Sequence, residues 1–397
     1  MVKIGTGISE NSITMKRTKP PFRADHVGSL LRPKRLLEAR LKFDGDATGE
    51  LRSGQGRVSQ ELSALEDEAI REAVSMQERV GLRSITDGEF RRRSFHQDFL
   101  LGLEGVALKY EASALNVSFH NEKGENRGRG AAFYFVDKVR HTKPINVAPF
   151  EFLRSVTSQT PKVTIPSPSL VLFFSDREFI SRTAYPDLEM FYSDLAACYR
   201  KELSALAQAG CTYAQLDDTA FAMICDPRFQ DAVRRSGRDP KQLIATYCDV
   251  VNDAIRDRPQ KLTVAMHICR GNKEGKWMAE GSYDYAAESV FPRLNVDAFF
   301  LEYDSPRAGG FPPLKYVPPS KTVVLGLITT KSPQLEPKDF LRKRIDQASK
   351  YFPIEQMCVS TQCGFASTIM GNPLSIDEEE RKLALIVDVA RDTWGEA

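Results

Sequence analysis

The apolar positions of residues 59–80 recur at helical spacing. Leu62, Leu65, Ala69, Ala73, Met76 and Val80 share one face, with charged residues between them. Gly81 follows as a helix terminator, and LRSITDGEF then reads as a short buried strand running into a turn. The same phrase recurs. The spacing predicts a helix over 186–209 ahead of the strand TYAQLDD, and another over 240–257 ahead of LTVAMHIC. SYDYAAESVFPRL leads into the strand AFFLEYD; TVVLGLIT precedes a charged helix over 337–351 and the strand QMCVSTQCGF. Short apolar strands alternating with helices imply repeated βα units and a parallel sheet. No Gly-rich dinucleotide loop follows any strand, so the pattern predicts an α/β fold, a TIM (β/α)8 barrel in a single domain.

Two stretches depart from this rhythm. Residues 105–150, with the polar run HNEKGENRGRG and the strand-like AAFYFVDKV, read as a β-hairpin-like insertion with a flexible tip. Residues 1–21 are polar and mildly basic, lack the apolar centre of a secretory signal, and read as a flexible leader to a barrel over 22–397. Among 397 residues, 42% are hydrophobic and 27% charged, which excludes a largely disordered chain. Lys+Arg 55 against Asp+Glu 53 gives a formal charge of +2, which argues against a dedicated nucleic-acid binder. The RRR and GRG clusters are read as solvated surface. No apolar run approaches the roughly 20 residues of a membrane span. The seven cysteines lack the paired spacing of a disulfide scaffold, so a cytoplasmic location is expected. The oligomeric state is left open, a homo-oligomer included.

The polar residues fall where a barrel would use them. Glu89, Asp217, Asp218, His267, Cys269, Glu302, Asp304 and Cys363 all sit at or just past predicted strand ends, which share one face of a barrel. His267 and Cys269 alternate along one strand, so both can face the same point. Glu302 and Cys363 end later strands. One imidazole, one carboxylate and two thiolates are a donor set that zinc accepts, whereas sulfur disfavours magnesium and calcium. Core packing is the alternative for each cysteine taken alone, and Cys198, Cys211, Cys225, Cys248 and Cys358 sit in helical or apolar stretches that fit it. Two sulfur ligands at a barrel mouth suit activation of a substrate thiol better than hydrolysis.

These residues carry a resemblance. HVGSLLRP, TDGEFRR, QLDD, MHICRGN, FFLEYD and STQCGFAS occur in the order and roughly at the spacing of the cobalamin-independent methionine synthase family. The chain is most similar to short members related to that enzyme's C-terminal catalytic barrel, over residues from about 22 to 390. The resemblance implies zinc held by His267, Cys269, Glu302 and Cys363, and methyl transfer from a folate to the sulfur of homocysteine. It places the amino-acid substrate on Ser29, Glu89 and Asp217, where two carboxylates would receive an ammonium group. A helix-start role is the alternative for Asp217 and Asp218, and an ion pair with Arg91–Arg93 for Glu89.

The departures are specific. Asp218-Thr219 stands where the long enzyme has Glu-Pro, and Lys331 stands where the family has its catalytic His before Ser-Pro. Lys331 and Asp218 are therefore the candidate catalytic groups. The stretch TIPSPSLVLFF lacks the Trp expected against a pterin, leaving Phe173 or Phe174 to substitute, or a donor other than folate. A zinc thiolate that opens an epoxide, as in the epoxyalkane:coenzyme M transferases, is the alternative enzyme. A non-catalytic barrel with a structural zinc is the alternative of another class.

Overall fold

The computed structural model describes residues 17–44, 60–109, 118–121, 124–126, 132–175 and 177–397. Helices α1 (Lys34–Asp44) and α2 (Gln60–Val80) precede the two-residue strand β1 (Ser84–Ile85) and a short α3 (Gln97–Leu101). β2 (Glu104–Lys109), β3 (Phe119–Asn121), β4 (Gly124–Asn126) and β5 (Ala132–Arg140) come next, then α4 (Val147–Val156), β6 (Thr160–Pro161) and β7 (Val163–Pro166). Helices α5 (Pro168–Phe174) and α6 (Leu188–Gln208) lead to β8 (Tyr213–Asp218). After it come α7 (Ala220–Cys225), α8 (Pro227–Arg235), α9 (Pro240–Ile255), β9 (Thr263–Ile268) and α10 (Asp284–Val290). β10 (Ala298–Glu302), β11 (Thr322–Ile328), α11 (Lys338–Ala348), β12 (Met357–Thr361) and α12 (Ile376–Trp394) complete the order.

Strands β7 to β12 form one parallel sheet of six in sequential order. Each strand pairs with its neighbour in sequence, as βα crossovers require. On one side β1 pairs in parallel with β6, which only Lys162 separates from β7. On the other, Ala24 bridges Val359 of β12 in parallel, with Asp25 N donating to Val359 O at 3.1 Å. Between the Ala24 segment and β1 the contacts are chiefly side-chain bonds: Ser84 Oγ donates to Asp25 and Thr86 Oγ1 to Gly28 O. The molecule is thus an α/β fold around parallel strands.

The register sets the strand ends level. Asp217 pairs with Pro166 on one side and with His267 on the other, and Glu302 pairs with Gly326. Below that end, Val27, Tyr213, Ala265, Ala298, Phe300, Val324 and Cys358 pack into a cluster of their own. Within it lies a buried ion pair, Lys162 to Asp25 at 3.2 Å, both side chains fully enclosed. The Lys162 ammonium stands over the Phe300 and Tyr213 rings, and Tyr213 OH donates to Asp25 at 2.9 Å.

The insertion differs from the expected single hairpin. β2 and β5 form one antiparallel pair, β3 and β4 a second, and residues 147–150 already belong to α4. The short second pair is anchored to the body: His120 and Trp277 exchange backbone hydrogen bonds at 2.9 and 3.0 Å. The GRG cluster and residues 1–16 of the expected leader lie outside the described residues. Residues 17–21 are tied down at their start, where Arg17 N donates to Glu396 and its guanidinium to Thr322 Oγ1. The RRR cluster is not solvated surface. Arg91 pairs with Glu66 and Asp67, while Arg92 donates to Thr164 at 3.0 Å and lies 3.9 Å from Glu89. These arginines face acidic and hydroxyl partners on α2 and β7, which a charge run read alone does not reveal. No described helix is long and apolar enough to cross a membrane.

Candidate active site and metal centre

The HxC pair ends β9 with both side chains buried, and Cys363 reaches them from just beyond β12. The ligand atoms of His267, Cys269 and Cys363 all lie within 4.8 Å of one another. The two sulfurs are 3.8 Å apart. Two thiolates on zinc arms of about 2.3 Å at the tetrahedral angle would stand about 3.8 Å apart, so the donor set fits a zinc ion. His267 is oriented by Asp217, Nδ1 to Oδ1 at 3.1 Å, and its Nε2 lies 3.2 Å from Gln362 O. Such an outer partner fixes the ring of a ligating imidazole.

The electrostatics favour one deprotonated sulfur of the two. Although burial opposes charge on His267, the Asp217 carboxylate and Cys363 raise it to about 10. Cys363 is held well below the ordinary thiol range by Cys269 and His267 against the effect of burial, while Cys269 is pushed up by sharing a proton with Cys363.

Glu302, the fourth expected ligand, is placed differently. Its buried carboxylate accepts Arg307 Nη2 on Oε1 at 2.6 Å and the Arg270 backbone N–H on Oε2 at 2.8 Å. Burial works against its charge, yet Arg307, Arg270 and Lys331 hold it down to about 2. It therefore stands ionised beside the cluster of three and paired with guanidinium.

Glu89 lies against Thr164 of β7, and Ser29 against the loop that follows β12. Glu89 has φ +60°, a left-handed conformation rare outside glycine that marks stored strain at a site. Thr164 Oγ1 donates to Glu89 at 2.8 Å; burial, with Asp217 nearby, pushes the carboxyl up to about 7 despite Arg92. Gly28 of the HVGS motif has φ +144°, and a Cβ there would meet Thr164 Cγ2 at 2.7 Å. Ser29 is buried, and its Oγ accepts the Ala366 N–H at 3.3 Å. A Cβ on Gly364 would fall 2.0 Å from that oxygen, which accounts for glycine directly after Cys363.

The two candidate catalytic groups are placed unequally. Lys331 Nζ donates to Gly271 O at 3.3 Å, and its charge bears on both Glu302 and Cys363. Asp218 is committed inward. One oxygen receives Ser169 Oγ, the other the Phe221 N–H at the start of α7, and burial pushes it up to about 6. Asp218 thus helps to start α7 from the position before its cap, Thr219, while Asp217 turns to His267. Phe173 is buried against Phe174 and Phe229. The five remaining cysteines are buried, free thiols pushed up to about 11 or 12 by burial.

Several participants escape a reading of motifs. Gln215 donates to Asp217 Oδ1 at 2.7 Å, which the alternation of QLDD could have signalled because residues two apart share a face. Thr164, Arg307 and Gln362 carry no such signal, since only the folded chain brings them to Glu89, Glu302 and His267.

Comparison with known proteins agrees with the geometry. Residues 46–392 match the family described as the catalytic domain of cobalamin-independent synthase. The chain is 41% identical to the uncharacterized protein YxjH of Bacillus subtilis, over 96% of this chain and 97% of that one. It is 25% identical to a methionine synthase of Pyrococcus abyssi, over 77% and 79% of the two chains. Among solved structures, a candidate vitamin-B12 independent methionine synthase of Listeria monocytogenes superposes with a TM-score of 0.73 at 34% identity, covering 96% of this chain and 100% of that one. With its strand-end cluster, its register and a match over most of its length, the chain belongs to the cobalamin-independent synthase catalytic-domain family.

Proposed function

We propose that this protein is a zinc-dependent S-methyltransferase that transfers a methyl group to homocysteine, giving methionine, from methyltetrahydrofolate or another methyl donor. The observation that carries this reading is the buried His267–Cys269–Cys363 cluster, with sulfurs 3.8 Å apart, at the level of Asp217 on the neighbouring strand. We take the strands to close as a (β/α)8 barrel, with the first strand around Ala24 facing β1. Zinc, when bound, would let a substrate thiol react as thiolate near neutral pH.

The remaining roles belong to the chain itself. His267, Cys269 and Cys363 hold the metal, and Glu302 is an exchangeable fourth ligand. Asp217 keeps the His267 ring in place while Glu89 and Asp217 accept the ammonium group of the amino acid. Ser29 meets its carboxylate. Lys331, at the mouth, supplies the proton that the departing donor needs, and Asp218 positions the start of α7. The free thiols fit a reducing compartment, so we place the protein in the cytoplasm.

The test is turnover with homocysteine and methyltetrahydrofolate, or a simpler methyl donor, by protein of known zinc content. Methionine should form, and Cys269→Ser or Cys363→Ser should lose both zinc and at least about a hundredfold in rate, in line with losing a direct ligand. Retention of full zinc and rate by either variant would sink the ligand assignment. Turnover of an epoxide with a thiol, and none with any methyl donor, would move the protein to the epoxide-opening reading.

A further inference from the structure

The fourth ligand position is contested by a residue of the chain itself. Glu302 has no solvent exposure, so its carboxylate must find a positive or hydrogen-bonding partner inside the protein. Arg307 is that partner at 2.6 Å, and the same Nη2 also reaches Asp304 at 3.1 Å. The guanidinium lies over the Trp277 ring, 4.4 Å from its centroid, and the indole N–H is fixed by Glu280 at 2.8 Å. Arg307 is thus clamped by an aromatic face and a second carboxylate, and its side chain is only 10% exposed. Meanwhile the three other donors are gathered within 4.8 Å without Glu302.

We propose that Arg307 is a positioning residue that competes with the metal for Glu302, holding its carboxylate off the His267–Cys269–Cys363 cluster so that a substrate thiol can take the fourth position. The inference rests on the zinc reading above and adds to it a specific balance. A carboxylate that leaves the metal would otherwise be an unpaired charge in a closed site, and a charge-assisted bond to a waiting guanidinium removes that cost. On a bound zinc the substrate thiolate would take the place of the carboxylate, its proton passing to solvent while Arg307 held Glu302. Catalytic zinc sites characteristically keep such an open position, whereas structural ones are closed. Asp304 sets the strength of the hold by sharing the same guanidinium nitrogen.

Metal affinity and thiol response of the full chain, measured separately from turnover, provide the test. Zinc affinity is read by competition with a chromophoric chelator, and ligand change by the visible spectrum of the cobalt(II)-substituted protein titrated with homocysteine. Arg307→Gln should bind metal about tenfold more tightly and need about tenfold more homocysteine for half the spectral change, the scale of one charge-assisted bond. Asp304→Asn should move both quantities the other way, because Arg307 then serves Glu302 alone. Opposite signs cannot come from general damage to the loop, which would weaken metal binding in both variants. Unchanged values in Arg307→Gln, or losses of the same sign in both, would overturn the proposal. Failure of the wild-type chain to bind either metal would instead overturn the zinc reading beneath it.

Discussion

Glu89, proposed above as an ammonium acceptor, is a buried residue in a strained backbone conformation. Its φ of +60° turns the side chain inward directly after Gly88, and burial pushes the carboxyl up to about 7. In that proposed role Glu89 forms an ion pair with the ammonium group only in its ionised form, so that pairing weakens as pH falls through about 7. Methionine serves as the probe because it has no thiol to titrate. Its affinity, measured calorimetrically, should fall by up to about tenfold per pH unit below that point. Glu89→Gln should flatten the profile and weaken binding throughout; a wild-type profile with no inflection between pH 5.5 and 8 would remove Glu89 from ammonium recognition. Its position just past a strand was legible from the sequence, because DGEF follows the short apolar stretch at Ser84–Ile85. Arg307 was not, since the turn after Glu302 had to fold before its guanidinium could reach back.

At the scale of elements, the strand-to-loop junctions carry the precision. Gly364 lets the loop after β12 pass against Ser29, and a methyl group there would strike Ser29 Oγ at 2.0 Å. Gly364→Ala should therefore displace Cys363 or Ser29 and weaken zinc and methionine binding by about tenfold or more, with overall stability lowered by only about 1–3 kcal/mol. Wild-type affinities for both in that variant would show that the contact is not needed. Helices α6, α9 and α11 and strands β8 to β12 could be read because each switches apolar period at a turn, whereas α7, α8 and α12 are not among the elements that the pattern predicts. β1 could be placed, but not its partnership with β6, since a two-residue strand has no pattern of its own. The two hairpins of the insertion were read as one for a related reason. The first buries Phe133, Phe135 and Val139 in the core, while the second is three residues a strand and is held by Trp277 from a distant loop.

Across the whole molecule, the strand ends meet above a polar element that no motif announced. Lys162 and Asp25 are both fully enclosed, 3.2 Å apart, among Tyr213, Phe300 and Cys358. Removing one member of such a pair leaves the other uncompensated, so Lys162→Met should cost about 3–5 kcal/mol in urea unfolding, and Lys162→Met with Asp25→Asn should recover part of it. A single variant as stable as wild type would mean that the pair is relaxed by groups other than each other. The α/β character was legible because alternation runs the length of the chain. Lys162 was not, since a lysine between two short strands reads as an exposed position until Asp25 and the Tyr213 and Phe300 rings fold around it.

The central claim is that His267, Cys269 and Cys363 hold a zinc ion whose remaining position accepts a thiol. The most direct test is X-ray absorption at the zinc edge, with and without homocysteine, on protein whose metal content has been measured. One zinc per chain with about two sulfur neighbours is expected, rising to about three when homocysteine is added. A sulfur shell that ignores homocysteine, or a chain that takes up no zinc, would contradict it.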